Sequence, residues 1–381
     1  MAIGIFGGTF NPPHLGHLRL LRAFADRFSL SRVLVIPTFV PPHKLSPDLA
    51  DAGMRLEMCR MLFDDHRFTV SDLEIARGGK SYTVETLETL RAQYPGEALY
   101  LLIGSDMLES FDTWYRADDI RRLCTVCAAV REKGKTLDPN GAVLLENFDP
   151  IEISSTAVRE KVRLGEDAAP YVGEAVGAFI RGKGLYADAY TQYRRLLREK
   201  LGAYRLRHSF CVADSAKALA QQYGEDPQKA YFAGLLHDVM KDAPRDEQKA
   251  VIERGGTVLG ADERANPKLW HAMAGEAFLR TELSVADEDV LHAVRYHTTG
   301  RAGMSLLEKI IYVSDYLSED RVYDGVDRMR RLASESLESA MLFGLSFTIS
   351  ELAKSEQPIH PDSVACYNEI VLNNNGKDRS I

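Results

Sequence analysis

The 381-residue sequence contains no apolar run near 18 residues, the length that a helix needs to cross a membrane. Its start also lacks a basic segment followed by a long apolar stretch, as a secretion signal would have. The net charge of −8 argues against a general binder of nucleic acid or of membrane surfaces. We therefore expect a soluble cytoplasmic protein that binds small molecules, with no membrane and no nucleic acid among its partners.

Cysteine is scarce, and the five cysteines are an odd number that does not suit a disulfide framework. Cys124 and Cys127 form a CxxC pair within RRLCTVCAAVRE, but no second CxxC accompanies it. The surrounding residues are typical of a buried strand. We interpret the pair as core residues rather than as a redox or metal site.

The sequence has no internal repeat, and its pattern changes near residue 187. Before that point, strand-like runs such as SRVLVIP, HRFTVSDLEI, EALYLLIG, CTVCAAV and GAVLLEN alternate with helical stretches. After it, the pattern is almost wholly helical. At this length two domains are expected. We predict an α/β domain with a parallel sheet over residues 1–187, an all-α domain over 188–370 and a frayed tail over 371–381.

The opening stretch GIFGGTFNPPHLGH predicts a strand, a loop and a helix. His14 and His17 are three residues apart and therefore share a face of the first helical turn. Unpaired N–H groups and the positive end of the helix dipole lie at the same place, which suits phosphate. A second segment, ISSTAVRE, offers another helix start, with Ser154, Ser155 and Thr156 as candidate caps and Arg159 one turn later.

The helical half contains a second constellation of four histidines and two aspartates on five helical segments. Its members are His208, His237, Asp238, His271, His297 and Asp315. His237 and Asp238 adjoin the apolar residues of AGLL, and a buried aspartate is costly unless it is paired or coordinated. The set suits one or two divalent metals.

Six ordered segments of the first half resemble bacterial nicotinate-nucleotide adenylyltransferase, within the nucleotidyltransferase superfamily. They are GGTFNPPHLGH, IPTFVPPHK, DLEIARGGKSYTVETL, LLIGSDMLESFDTW, ISSTAVRE and VGAFIRGKGLY, with Asn11 where the family often has aspartate. The resemblance implies a Rossmann-like sheet and transfer of the adenylyl group of Mg²⁺-bound ATP to nicotinate mononucleotide. Such a reaction needs alignment of anions and offset of their charge rather than a covalent nucleophile.

The resemblance also implies roles for individual residues. His14 and His17 are expected to be catalytic, and ATP is expected to contact Gly7, Gly8, Thr9, Phe10, His17, Ser154, Ser155, Thr156 and Arg159. Lys44, Thr83, Asp106 and Trp114 are expected around the acceptor, where the indole of Trp114 could stack on the pyridine ring.

The second half resembles the HD superfamily of metal-dependent phosphohydrolases through AGLLHDVMK, YHTTGRAGMS and KIIYVSDY. The resemblance implies two divalent metals, expected to be iron, and symmetrical hydrolysis of diadenosine tetraphosphate to two ADP. His208, His237, Asp238 and Asp315 would hold one metal, and Asp238 would bridge to a second metal held by His271 and His297. Asp238 and Lys241 would be catalytic, with Lys241 neutralising a phosphate oxygen.

The sequence therefore predicts a bifunctional enzyme that acts on ATP, nicotinate mononucleotide and a dinucleoside polyphosphate. Two alternatives stay open for the helical domain, namely hydrolysis of another nucleotide and a regulatory role in nucleotide binding. For the α/β domain the alternative is a transferase with a different acceptor. The pattern of residues leaves the oligomeric state open.

Overall fold

The computed structural model describes residues 2–40, 48–129, 139–145 and 153–377. The chain divides into two compact units, Met1–Thr191 and Gln192–Ile381, which we call the α/β unit and the helical unit. The division falls close to the boundary that the change of sequence pattern indicates.

The α/β unit contains a parallel sheet of six strands among the described residues, in the order β3-β2-β1-β4-β5-β6. The strands are β1 Ala2–Gly8, β2 Arg32–Pro37, β3 Phe68–Val70, β4 Ala98–Gly104, β5 Thr125–Ala129 and β6 Val143–Leu145. The helices are α1 Leu15–Arg27, α2 Ala52–Leu62, α3 Leu73–Arg77, α4 Thr83–Gln93, α5 Ser105–Glu109, α6 Ala117–Leu123, α7 Ser155–Arg163, α8 Ala169–Val172 and α9 Glu174–Lys183. This strand order is that of a doubly wound fold, which confirms the predicted Rossmann-like class.

Helices cover both faces of the sheet, so its central strands are apolar along their whole length. Successive side chains of a strand point to opposite faces. Phe6, Val33 and Val35 therefore pack into one core with α1, α2, α7 and α9. Ile5 and Leu34 pack into the other core with α4 and α6. The strand order places the end of β1 next to the switch in winding direction, where ligands bind in such folds.

Two of the segments predicted as strands, CTVCAAV and HRFTVSDLEI, differ in how well they match the structure. Cys127 lies in β5 and is fully buried, and burial raises the pKa of Cys124 and Cys127 to about 12. Their interpretation as core residues is confirmed. By contrast, the run HRFTVSDLEI forms only the short strand Phe68–Val70 and then α3, because the chain turns at Ser71 and Asp72 before the helix begins.

The helical unit consists of helices joined by short turns among its described residues. They are α10 Thr191–Lys200, which begins at the division, α11 Ala203–Tyr223, α12 Pro227–Leu236, α13 Arg245–Arg254, α14 Ala261–Ala265, α15 Trp270–Thr281, α16 Glu288–Tyr296, α17 Leu306–Leu317, α18 Val326–Glu335, α19 Leu337–Lys354 and α20 Pro361–Lys377. Helix α20 continues to Lys377, so it includes part of the tail that we expect to fray. Its buried Cys366 and Ile370 anchor the helix despite the asparagine run that follows.

Close packing of α11 against α12 brings together two of the segments that carry candidate metal ligands. A Cβ atom at Gly234 would lie 3.0 Å from the Cα of Ala213 and 3.2 Å from the Cβ of Ala216. Only glycine allows the two helices to approach so closely without a shift. Helix α17 packs against α11, α12 and α16 and buries Leu307, Ile310 and Ile311 completely.

Among the described residues, none of the helices combines the length and apolar character needed to span a bilayer.

Candidate functional sites

The loop between β1 and α1 brings the two histidines of the first constellation together. His14 is the N-cap residue of α1, and its backbone N–H donates to Nδ1 of His17 at 3.1 Å. The two imidazole rings stack with their centroids 3.6 Å apart. His14 is buried, whereas His17 is half-buried. Since Nδ1 of His17 accepts this hydrogen bond, its neutral ring carries the proton on Nε2.

The start of α7 lies against the same loop, although the two segments are far apart in sequence. The hydroxyl of Ser155 donates to the carbonyl of Pro12 at 2.8 Å, and Nη1 of Arg159 donates to the carbonyl of Asn11 at 2.8 Å. Ser154 caps α7 by accepting from the N–H of Ala157 at 3.1 Å. The starts of two helices therefore meet beside the carboxyl end of β1, an arrangement that favours phosphate.

Gly7, Gly8, Thr9 and Phe10 form the end of β1 and the turn that follows it. A Cβ atom at Gly8 would lie 3.0 Å from the ring of Phe10, so this glycine lets Phe10 fold back over the strand. The Phe10 ring then contacts the ring of His17, with centroids 5.3 Å apart. At Gly7, a Cβ atom would meet only the carbonyl of Ile36 at 4.0 Å. A ligand can thus approach the backbone there.

Three of the four candidate acceptor residues lie in the described part of the chain, and Lys44 lies outside the described residues. Asp106 is exposed just after β4, which pairs directly with β1. Thr83 begins α4, and half-buried Trp114 packs on Phe111 with ring centroids 5.2 Å apart. Their neighbours Tyr82 and Tyr115 touch, with ring centroids 4.9 Å apart. The structure thus brings the segments that carry Thr83 and Trp114 together.

Two residues fix this loop: Arg55, which sequence reasoning missed, and Asn11, which it named only as a departure from the family pattern. Arg55 is 1% exposed, and its guanidinium donates to the carbonyls of Thr9, Thr38, Phe39 and Ala50 at 2.7–3.0 Å. The side chain of Asn11 donates to the carbonyl of Asp48 at 2.9 Å and accepts from the N–H of Ala50 and the hydroxyl of Tyr186. An arginine that bonds only to carbonyls leaves no pattern in the sequence, so no signal could have identified it.

In the helical unit, the six candidate metal ligands converge from different helices. They are His208 in α11, His237 and Asp238 directly after α12, His271 in α15, His297 directly after α16, and Asp315 in α17. The four imidazoles are between 0% and 3% exposed. Two groups have ligand atoms that all lie within 4.8 Å of one another, namely His208 with His237 and Asp315, and His237 with Asp238 and His297.

The distances within the cluster show how the two groups adjoin. Nε2 of His208 lies 2.9 Å from Oδ1 of Asp315. Oδ1 of Asp238 lies 3.4 Å from Nε2 of both His271 and His297. The two compact groups share His237, whereas the sequence-based division makes Asp238 the shared ligand. His271 adjoins the second group through Asp238 and His297.

Backbone carbonyls orient three of the four imidazoles. Nδ1 of His237, His271 and His297 each lies 2.7 Å from the carbonyl of the residue three positions earlier. Nδ1 must donate to that carbonyl, so the lone pair is on Nε2, the nitrogen that faces the cluster. For His208 the corresponding partner of Nδ1 is a carboxylate, Oδ2 of Asp320 at 2.9 Å. Sequence reasoning did not reveal this supporting role of Asp320.

The electrostatics of the cluster suit ligands for a cation. Burial lowers the pKa of His237 to about 4 and that of His271 to about 3, which keeps both rings neutral near pH 7. Burial acts to raise the pKa of Asp238, but His237, His297 and Lys241 hold it well below its usual range. Nε2 of His237 is buried and has no hydrogen-bond partner among the described residues. Neutral imidazoles and ionised carboxylates are the forms that bind metal.

Three basic side chains border the cluster. Nζ of Lys241 lies 2.8 Å from Nε2 of His271 and 3.5 Å from Oδ1 of Asp238. Lys241 and Asp238 belong to the turn that follows α12, and the N–H of Lys241 donates to the carbonyl of Asp238. Arg205 lies 3.7 Å from Asp238, and Arg321 is paired with Asp315. These cations can offset the charge of a bound anion.

Comparison with known proteins separates the same two regions. The cytidylyltransferase-like family matches residues 5–161, and the HD domain family matches residues 205–320. A Bacillus subtilis (strain 168) protein named symmetrical bis(5'-nucleosyl)-tetraphosphatase is 40% identical over 175 residues, which are 46% of this chain and 94% of the relative. The probable nicotinate-nucleotide adenylyltransferase of Geobacillus thermodenitrificans (strain NG80-2) is 36% identical over 185 residues, 48% of this chain and 85% of the relative. The chain therefore belongs to the cytidylyltransferase-like family through its first half and to the HD domain family through its second half.

A further member of the nicotinate-nucleotide adenylyltransferase family is covered completely. This probable enzyme of Exiguobacterium sibiricum (strain DSM 17290 / CCUG 55495 / CIP 109462 / JCM 13490 / 255-15) is 38% identical over 189 residues, 49% of this chain and 100% of the relative. The chain therefore joins one nucleotidyltransferase and one HD hydrolase, which confirms the predicted pair of enzyme classes. Membership of the HD family implies that the helical unit binds divalent metal, and the buried cluster supplies side chains that could hold it.

Proposed function

We propose that the α/β unit transfers the adenylyl group of Mg²⁺-bound ATP to nicotinate mononucleotide, which gives nicotinate adenine dinucleotide and pyrophosphate. This proposal is carried by one observation: the starts of helices α1 and α7 lie together. Ser155 and Arg159 of α7 hold them there by hydrogen bonds to the β1–α1 loop. Relatives named as nicotinate-nucleotide adenylyltransferases supply the substrate class.

In this proposal the protein aligns phosphates and offsets their charge. The acceptor phosphate attacks the α-phosphorus of ATP, and pyrophosphate leaves on the opposite side. Nε2–H of His17 donates to a phosphate oxygen because Nδ1 already accepts from the backbone. Arg159 and the N–H groups at the start of α7 balance the charge of the triphosphate. Gly7 allows the nucleotide to approach the end of β1, and Gly8 makes room for the Phe10 ring beside it.

We infer that Trp114, Thr83 and Asp106 bind the acceptor, with Lys44 as a further contact. The test compares nicotinate mononucleotide with its amide as acceptor in wild-type protein and in Trp114→Ala. The variant should raise KM for the acceptor and leave KM for ATP unchanged. An equal preference for the two acceptors in wild-type protein would contradict the proposed substrate, whereas a change confined to KM for ATP would contradict the role of Trp114.

We propose that the helical unit hydrolyses dinucleoside polyphosphates, with symmetrical cleavage of diadenosine tetraphosphate to two ADP. The supporting observation is the buried cluster of four imidazoles with Asp238 and Asp315, which fits two divalent metals, proposed to be iron. His208, His237, Asp238, His271, His297 and Asp315 would hold them. When bound, such metals activate water and stabilise negative charge on the phosphoryl oxygens.

The side chains around the cluster have separate tasks in this reaction. The carbonyls behind His237, His271 and His297, and the carboxylate of Asp320, keep each Nε2 lone pair aimed inward. Arg205, Lys241 and Arg321 attract and orient the polyphosphate chain. We also propose that both reactions take place in the cytoplasm, which agrees with the free thiols of all five cysteines.

The deciding experiment is metal analysis of the purified protein together with a screen of phosphate substrates. We expect about two metal ions per chain and ADP as the sole product from diadenosine tetraphosphate. The screen includes a guanosine tetraphosphate and a simple phosphate monoester. Hydrolysis of one of these in preference to the dinucleotide would contradict the proposed substrate, and nucleotide binding without any hydrolysis would favour a regulatory module.

A further inference from the structure

The helical unit contains a cavity of about 270 Å³ that begins at the candidate metal ligand Asp315. Helix α17, the turn that follows it, and helices α18 and α19 enclose it. Its size is just below the range of roughly 300–1,000 Å³ that is typical of sites for whole drug-sized ligands. The cavity therefore suits one ring system of a nucleotide rather than a complete dinucleotide.

Aromatic side chains form much of the wall. Tyr316, Tyr323 and Phe343 line the cavity. The hydroxyl of Tyr323 donates to the carbonyl of Tyr316 at 3.0 Å, and the hydroxyl of Tyr316 lies 3.0 Å from Oγ1 of Thr348. Because these bonds anchor both phenol rings, the rings are held in place as rigid surfaces. Aromatic surfaces of this kind stack well on nucleobases.

Helix α19 packs closely against one side of the cavity at Gly344. A Cβ atom at Gly344 in α19 would lie 3.2 Å from Cε of Met329 and 3.7 Å from the ring of Tyr316, and all three residues line the cavity. A longer side chain at position 344 would therefore have to shift the end of Met329 and extend into the cavity. At the rim, Phe347 is 57% exposed, which is unusual for a large apolar side chain.

Polar groups connect the cavity to the metal cluster. Arg321 lines the cavity, and its Nε donates to the carbonyl of Asp315 at 2.7 Å. The same guanidinium lies 3.3 Å from Nε2 of His208. A phosphate group at the cluster would thus be within reach of Arg321, and the attached nucleoside would extend along the cavity. Asp324 also lines the cavity and offers a carboxylate to an exocyclic amino group.

We propose that this cavity binds the base of the nucleotide whose phosphates lie at the metal cluster, and that the base is a purine with an amino group. The proposal rests on the function proposed above for the helical unit, and it names the residues that would distinguish a nucleotide from a bare polyphosphate. Stacking on the aromatic wall should strengthen binding roughly 5- to 150-fold, the effect that 1–3 kcal/mol per stacked base gives.

The first test is inhibition of dinucleotide hydrolysis in the full-length, metal-loaded protein. In wild-type protein, ADP should inhibit at a concentration roughly 5- to 150-fold lower than methylenediphosphonate, a diphosphate without a base. Gly344→Met fills the cavity and should abolish this advantage while bound metal and inhibition by methylenediphosphonate stay unchanged. An advantage of ADP that survives in Gly344→Met would overturn the proposal.

A milder variant guards against misfolding of Gly344→Met. Phe347→Ala removes an exposed ring, so the fold should be retained while the advantage of ADP falls several-fold. Leu372→Ala is the matched control, because Leu372 is another exposed apolar residue, at 70% exposure, on α20. It should behave as wild-type protein. Equal effects of the two substitutions would also overturn the proposal.

The second test needs no hydrolysis and so separates this inference from the proposed function. The metal-loaded full chain is labelled with 8-azido-ADP, and the modified peptides are identified by mass spectrometry. We expect label on Tyr316, Tyr323 or Phe343 in wild-type protein and none there in Gly344→Met. Label in the cavity of a protein that hydrolyses no dinucleotide would refute the proposed reaction alone. Hydrolysis with no label in the cavity would refute the base site alone.

Discussion

Two histidines of the α/β unit and two of the four in the helical cluster lie at opposite ends of helices, and this difference matches the charge of what each site suits. In the α/β unit, His14 and His17 stand at the start of α1, where the helix dipole is positive. In the helical unit, His237 and His297 directly follow α12 and α16, and each uses Nδ1 to bond a carbonyl near the helix end. The first arrangement presents donors to an anion, and the second presents lone pairs to a cation.

The largest expected effect is that of Asp238→Asn in the helical unit. The substitution replaces a buried carboxylate that lies 3.4 Å from two imidazoles. Loss of metal and of hydrolysis should exceed the roughly 10- to 100-fold effect typical of residues that only support a ligand. Adenylyl transfer should stay at the wild-type level. Bound metal and both activities are measured on one preparation, with Asp246→Asn, an exposed carboxylate on α13, as the control. Parallel loss of adenylyl transfer would contradict independence of the units.

His17→Ala should produce the next largest effect, in the α/β unit. Removal of one donor to the transition state should lower kcat of adenylyl transfer by a factor on the order of 10² to 10³. Metal content and hydrolysis should not change. His66→Ala is the matched control because its imidazole is 90% exposed. An unchanged kcat in folded His17→Ala protein would refute the role of this imidazole.

Asp320→Asn should have a smaller effect, which distinguishes support of a ligand from direct binding. The carboxylate fixes Nδ1 of His208 and itself accepts from the hydroxyl of Ser318 at 2.7 Å. Metal affinity should fall about 10- to 100-fold, and saturating metal should restore hydrolysis. Competition with a chelator of known affinity gives the measurement. The corresponding change at the exposed Asp327 should have no effect, and failure of metal to rescue Asp320→Asn would place this residue among the ligands.

The smallest expected effect is a pH dependence of stability in metal-free protein. His237 and His271 titrate with pKa values of about 4 and about 3 in the folded state, against an ordinary value of 6.5. Between these limits the unfolded chain binds more protons than the folded one, so the helical unit should lose stability as pH falls from 6.5 to 4. Stability contributed by the neutral rings is fully present above pH 6.5.

Fluorescence can follow this change in the helical unit alone. The chain has two tryptophans, so Trp270 is the sole indole in Trp114→Phe protein. Its thermal transition should move to lower temperature on acidification of chelator-treated protein. Replacement of His237 and His271 by glutamine should flatten the dependence. A transition that is constant between pH 6.5 and pH 4 would contradict burial of these rings as neutral groups.

Sequence reasoning identified side chains that are costly to bury without a partner, and the structure shows that they converge. A buried aspartate beside histidine in an apolar segment demands a partner, and the structure brings His237 and Asp238 together with the other four candidates. Asp320 and Arg55 were missed because their roles depend on tertiary contacts. Aspartate in a turn is ordinary, and an arginine on a helix is normally exposed. The length of β3 was also beyond prediction, since pairing with β2 rather than strand propensity limits it.

The contact between Arg159 and the carbonyl of Asn11 joins positions 148 residues apart in the chain. Ribosomes add residues at about 5–20 per second, so roughly 7 to 30 seconds separate the synthesis of these two partners. During that interval the nascent chain already holds His14 and His17 but lacks the helix that faces them. The nucleotide site that we propose therefore becomes complete only after most of the α/β unit has been made, which would link its first opportunity to bind ATP to the progress of translation.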